Sequence, residues 1–113
     1  MVYYITIEGR RTMNTKHYTN DRKKREELIQ NVIGEGKEVE TFTIDRGHKN
    51  GPELHTITTT GIIIIRNART KKIVTKLIAR PAQIKRYFKV ITEKIQKIIE
   101  LAIMHTKLGY NNY

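Results

Sequence analysis

The sequence predicts a single α+β domain: an antiparallel sheet of about four to five strands, helices on one face, and a long C-terminal helix. Three observations carry this. The chain has 113 residues, the size of one domain with its own core. Its segments run strand, helix, about four strands, helix, without the regular β–α alternation of a parallel sheet. Its most legible stretch, residues 55–81, holds two strand-forming runs joined by a short polar turn. No linker or internal repeat divides residues 1–113.

The first element is VYYITI, residues 2–7, β-branched and aromatic and closed by Gly9. Residues 10–19 read as a polar loop. Thr19, Asn20 and Asp21 are N-cap types, and the helix they open has Leu28, Ile29, Val32 and Ile33 as its apolar side. Gly34 and Gly36 end it. Residues 37–45 and 53–60 read as strands separated by the loop RGHKNGP. Gly61 breaks the second. IIIIR (62–66) and KKIVTKLIA (71–79) then flank NART as a hairpin. Pro81 suits the first turn of a helix, which is expected to run from 81 to 108 and stop at Gly109. YNNY reads as a frayed tail.

Charge is the strongest global feature. Lys and Arg number 22 against 11 Asp and Glu, a net +11. Residues 66–97 hold eleven cations and one acid, Glu93, a surplus of ten. A second group comprises Arg10, Arg11, Lys16 and residues 22–25. Such a field favours phosphate backbones, anionic membranes or acidic proteins; the plain alternative is solubility. The chain has no cysteine, which excludes a disulfide framework, cysteine-ligated zinc and thiol catalysis. The longest unbroken apolar run, Ile62–Ile65, is far short of a membrane span, and MVYYITIEGRR has no basic lead or cleavage-like site. A soluble cytoplasmic protein without membrane association is expected.

Alternation along 71–80 puts Ile73, Thr75, Leu77 and Ala79 on one side, as core, and Lys72, Val74, Lys76, Ile78 and Arg80 on the other. The second set is expected to form a wet, anion-binding sheet face. Thr75 is read either as a strand-forming residue bonded to a neighbour or as a hydroxyl facing a bound phosphate. In the last segment, Ile84, Phe88, Ile91, Ile95, Ile98, Ala102 and His105 follow a heptad spacing. A helix of that length, roughly 40 Å at ~1.5 Å per residue, would overhang a small domain. Its distal half, Ile95 to Leu108, is therefore expected either to pack on the sheet or to pair with a second copy as a homodimer.

His17, His48, His55 and His105 show no metal-ligand spacing, and no P-loop, GxGxxG or GxSxG motif occurs, so neither metal nor cofactor is expected. The chemistry left open is metal-independent phosphodiester transfer, in which a 2′-hydroxyl attacks and the protein supplies base, acid and cations. His55, Lys76 and Arg80 are suitable types. A single strand histidine is also commonly structural.

The segment "GIIIIRN…TKKIVTKLIARPAQIKRYF", preceded by a strand histidine, resembles the RelE/ParE-like toxins of the barnase–colicin–RelE group of small ribonucleases. It is also similar to uncharacterised proteins of phages and prophages of low-GC Gram-positive bacteria. The likeness covers roughly residues 37–88. It implies His55, Thr75 and Arg80 as catalytic positions, with Gln83 and Tyr87 close by, where a base would stack on the tyrosine ring. It also implies a host-cell cytoplasmic location. Those toxins usually end in a basic strand, whereas this chain is expected to end in a helix.

Two functional readings follow. In the first, the chain is a phage-type protein that binds nucleic acid, RNA more than DNA, through Arg66, Arg69, Lys71, Lys72, Lys76, Gln83, Lys85, Arg86 and Tyr87, with His55 and Arg80 converging as an endoribonuclease site. In the second, it is a non-enzymatic regulatory or host-interaction protein, dimeric through its last helix. That reading expects His55 buried or remote from the cations.

Overall fold

A computed structural model describes residues 15–107, with side chains from Arg22 onward. The expected strand at 2–7, the cations at 10 and 11, and the tail after 107 lie outside the described residues, and Lys16 is described in its backbone alone. Helix α1 spans Thr15–Leu28 and continues into one π-helical turn, Ile29–Ile33, which Gly34 ends at φ 79°. Strands β1 (Glu38–Ile44), β2 (Glu53–Thr58), β3 (Ile62–Asn67) and β4 (Ile73–Ile78) follow, then helices α2 (Pro81–Tyr87) and α3 (Glu93–Thr106). The strands form an antiparallel meander in the order β1-β2-β3-β4. The architecture is α+β, as predicted. None of the helices among the described residues is long and apolar enough to cross a membrane.

The four consecutive isoleucines explain the layering. Successive side chains point to opposite faces. Ile63 and Ile65 therefore join Ile57, Leu77 and Ala79 on a front face, where Ile84 of α2 and Ile95, Ile98, Ile99 and Ala102 of α3 close the core. Ile62 and Ile64 point to the back with Ile78, against Leu28, Ile29 and Ile33. Helices thus cover both faces, not one. A strand apolar on both sides needs two apolar layers to keep it dry, and the end of α1 supplies the second.

The same layer covers part of the expected wet basic face, while Lys72, Val74 and Arg80 stay exposed. Ile78 is buried, Lys76 is ion-paired with Glu35, and the Arg22 guanidinium donates to the Val74 carbonyl at 2.8 Å across the β4 edge. An edge strand that exposes its backbone invites pairing with other chains, and here α1 stands beside it. Val32, read with the apolar side of α1, is 62 % exposed. The wider π turn rotates it off that stripe.

The C-terminal helix is present but shorter than expected, because the segment from 81 to 108 breaks at 88–92. Phe88 leaves α2 in extended conformation, and the Thr92 hydroxyl caps α3 by accepting the Ile95 N–H at 3.3 Å. The two helices fold back on one another over the front face. Most of the heptad stripe lies inside the chain: Ile84, Ile95, Ile98 and Ala102 are buried against the sheet, whereas Ile91 is 41 % exposed. On α3, Ile103 and Met104 are the large apolar residues left exposed. Thr92→Ala should destabilise the domain by about 1 kcal/mol through loss of this cap, read as a lower urea midpoint at unchanged slope.

Candidate nucleic-acid interface

His55 sits at the centre of the front face. It pairs laterally with Phe42 on β1 and Ile65 on β3, and it is wholly buried. Its Nδ1 lies 2.7 Å from the Tyr87 hydroxyl and its Nε2 3.1 Å from Glu53 Oε1. Glu53 is two residues earlier on the same strand and so on the same face; Tyr87 arrives from the last turn of α2. Phe42, Tyr87 and Phe88 pack around them, with ring centroids 5.2 Å apart for both Phe42 pairs. Burial pushes the imidazole pKa below its ordinary 6.5, partly opposed by the hydrogen bond and charge of Glu53. A neutral imidazole bridging a phenol and a carboxylate pins the end of α2 to the sheet.

The other two residues of the expected catalytic set stand elsewhere. Thr75 shares the face and row of His55 but with Ile65 between them, about 10 Å away at two strand spacings of ~4.8 Å. Its hydroxyl accepts from Arg25 Nη2 at 3.1 Å, with Arg25 itself buried. Thr75 is thus bonded to a neighbour. Arg80 precedes α2 at the opposite end of the sheet from the β3–β4 turn, about 26 Å along the chain from Lys72 at ~3.3 Å per residue. Its backbone N–H donates to Gln83 Oε1 at 2.8 Å. Gln83 is only 5 % exposed and serves this first turn. His55 thus hydrogen-bonds to Glu53 and Tyr87, and the charge of Arg46 also reaches it.

The cations divide by location. Arg66 reaches back along the sheet to Glu38 at 3.5 Å, and Lys76 is held by Glu35. These two are not at the chain's cationic end. That end is formed by the β1–β2 and β3–β4 loops, which the register sets side by side, since Ile44, Glu53 and Asn67 form one row. The Ala68 N–H donates to the Pro52 carbonyl at 3.0 Å and Asn67 Nδ2 to the Asn50 carbonyl at 3.2 Å. Lys49, Arg69, Lys71 and Lys72 are exposed on this tip, with His48 beside them. Lys85 and Arg86 are exposed on the last turn of α2, and Lys89 just beyond. Contacts of Tyr87 and Phe88 with Phe42 place that turn toward the same end of the sheet. Lys85 and Arg86 also complement the helix dipole, which is reason enough for their position.

Sequence reasoning had named Arg69, Lys71, Lys72, Lys85 and Arg86, and had left out Lys49 and Gly51. The Gly-Pro pair after Lys49 marked only a loop. Nothing local said that this loop would meet the next hairpin. Among the described residues no group of His, Asp and Glu is arranged to hold a metal ion. No family model, curated protein or solved structure matches this chain.

Proposed function

We propose that the protein binds nucleic acid through its cationic tip, without His55 acting on the substrate. The observation that carries this reading is the gathering of Lys49, Arg69, Lys71 and Lys72 on two bonded loops while two other cations of the same sequence block are tied to glutamates. The enclosure of His55, at 0 % exposure, favours binding over cleavage, because no phosphate reaches an imidazole closed in by Tyr87, Glu53 and the core. The resemblance of residues 37–88 to the RelE/ParE-like group of small ribonucleases suggests RNA as the first ligand to try.

The test is retention of labelled RNA in EDTA across a salt series. With about four phosphate contacts, affinity should fall about a hundredfold between 50 and 200 mM salt, at a log–log slope near −3 to −4. The RNA should stay intact. Cleavage that is lost in both His55→Ala and Arg80→Ala would establish the nuclease reading instead, and salt-independent or absent retention would end the nucleic-acid reading.

A further inference from the structure

Two properties of the tip bear on the form of its ligand. The first is rigidity. Asn67 Oδ1 accepts the N–H groups of Arg69 and Thr70 at 2.8 and 3.0 Å, and the Asn67 carbonyl accepts from Lys71 at 2.8 Å. Lys72 donates to Thr70 Oγ1 at 3.2 Å, and Lys71 holds a left-handed φ of 65°. Every backbone position from 67 to 72 that carries a cation is thereby fixed. The Arg69 guanidinium also lies against the bare Cα of Gly51. A Cβ there would come within 2.8 Å of Arg69 Cζ and Nε, at a φ of 87° that itself favours glycine.

The second property is the composition of the tip loops. Residues 46–52 and 67–72 carry no Phe, Tyr or Trp, with His48 as their one aromatic ring, and Phe42, Tyr87 and Phe88 are half-buried and packed on one another. Proteins that take single strands combine a cationic groove with rings on which bases stack. A double helix offers phosphates at fixed spacing and hides its base faces, so a rigid set of cations matches it without ordering the ligand.

We infer that the tip recognises the phosphate backbone of a double helix, with Gly51 as the positioning residue that seats Arg69. This rests on the nucleic-acid reading above. Fluorescence anisotropy with the full chain tests it, using RNA and DNA duplexes of about two helical turns and each of their single strands at low salt. Duplex should bind about tenfold tighter than single strand. The comparison of RNA with DNA duplex tells which backbone geometry the tip fits. Arg69→Lys keeps the charge and should lose several-fold on duplex alone, as should Gly51→Ala. Arg69→Lys leaves the Gly51 backbone untouched, so a loop that fails to form in Gly51→Ala does not blur the result. Single strand bound as tightly as duplex would overturn the inference and leave the nucleic-acid reading standing. No binding to any of the ligands would overturn both. An Arg69→Lys protein that binds duplex like the parent would overturn the seating of Arg69.

Discussion

His55→Ala should lower the unfolding free energy by about 3–5 kcal/mol. Deleting a buried ring leaves a cavity worth roughly 3 kcal/mol or more, and it removes the hydrogen bonds to the half-buried Tyr87 hydroxyl and to Glu53, at about 1 kcal/mol each. Relaxation around the site keeps the sum below the simple total. Domains of this size have about 5–15 kcal/mol in all, so the variant should be marginal, with a melting temperature lower by roughly 12–20 °C. Urea melts of parent and variant give the number. Because the tip is built from other residues, RNA retention by the folded variant at low temperature should stay near the parent's. A variant as stable as the parent would show that the Tyr87–His55–Glu53 bridge contributes nothing.

The same residue carries a pH signature. Burial holds the His55 pKa below 6.5 in the folded chain, so the unfolded chain takes up the proton first. Stability from this group is complete above about pH 6.5 and falls as pH drops through the window beneath it, until the folded pKa is passed. Carboxylates add their own slope at lower pH. The informative quantity is the difference between parent and His55→Ala: as pH falls below about 6.5 the parent should lose stability more steeply than the variant. Equal slopes would mean that His55 is solvated.

How much of this could be read beforehand depended on whether the cause was local. The strands were legible because Thr- and Ile-rich runs ended at Gly61 and at NART; the observed β1, β2 and β4 fall within the expected spans, and β3 runs one residue past its own. The break between α2 and α3 was not read, although its signal was present. Thr92 followed by Glu93 is a helix start, but the apolar stripe ran unbroken through it. Both helices lie on the same sheet face, so the stripe continues across the gap and imitates a single helix. Four successive isoleucines did say that both faces were apolar. The error was to leave one face wet when Leu28, Ile29 and Ile33 were available to cover it. The bridge from His55 to Tyr87 spans 32 residues and has no period to betray it. Only Glu53, two positions before His55, could have been placed on the same face from sequence alone.

Charge reversal at the tip is the second large effect. Arg69→Glu, Lys71→Glu and Lys72→Glu together change the local charge by about six units, each worth ~1 kcal/mol in water for a phosphate ~4 Å away. Screening at physiological ionic strength, with a Debye length of ~8 Å, takes back roughly half. Nucleic-acid affinity should therefore drop by about a hundredfold or more. The fold should hold to within ~1 kcal/mol, because the hydrogen bonds that shape the hairpin come from backbone groups and from Asn67 and Thr70, not from the replaced side chains. Glutamate at position 71 meets the same left-handed backbone that lysine already tolerates. Lys94→Glu with Lys97→Glu is the matched control: both residues are exposed on α3 and belong to neither loop, and their reversal should cost less than about tenfold. Equal losses from tip and α3 would mean that the net charge of +11 attracts the ligand as a diffuse field. A loss confined to the tip would mean that the paired loops make the contact, and then the rigid geometry of the β3–β4 hairpin, not the excess of lysine and arginine, sets what the protein can hold.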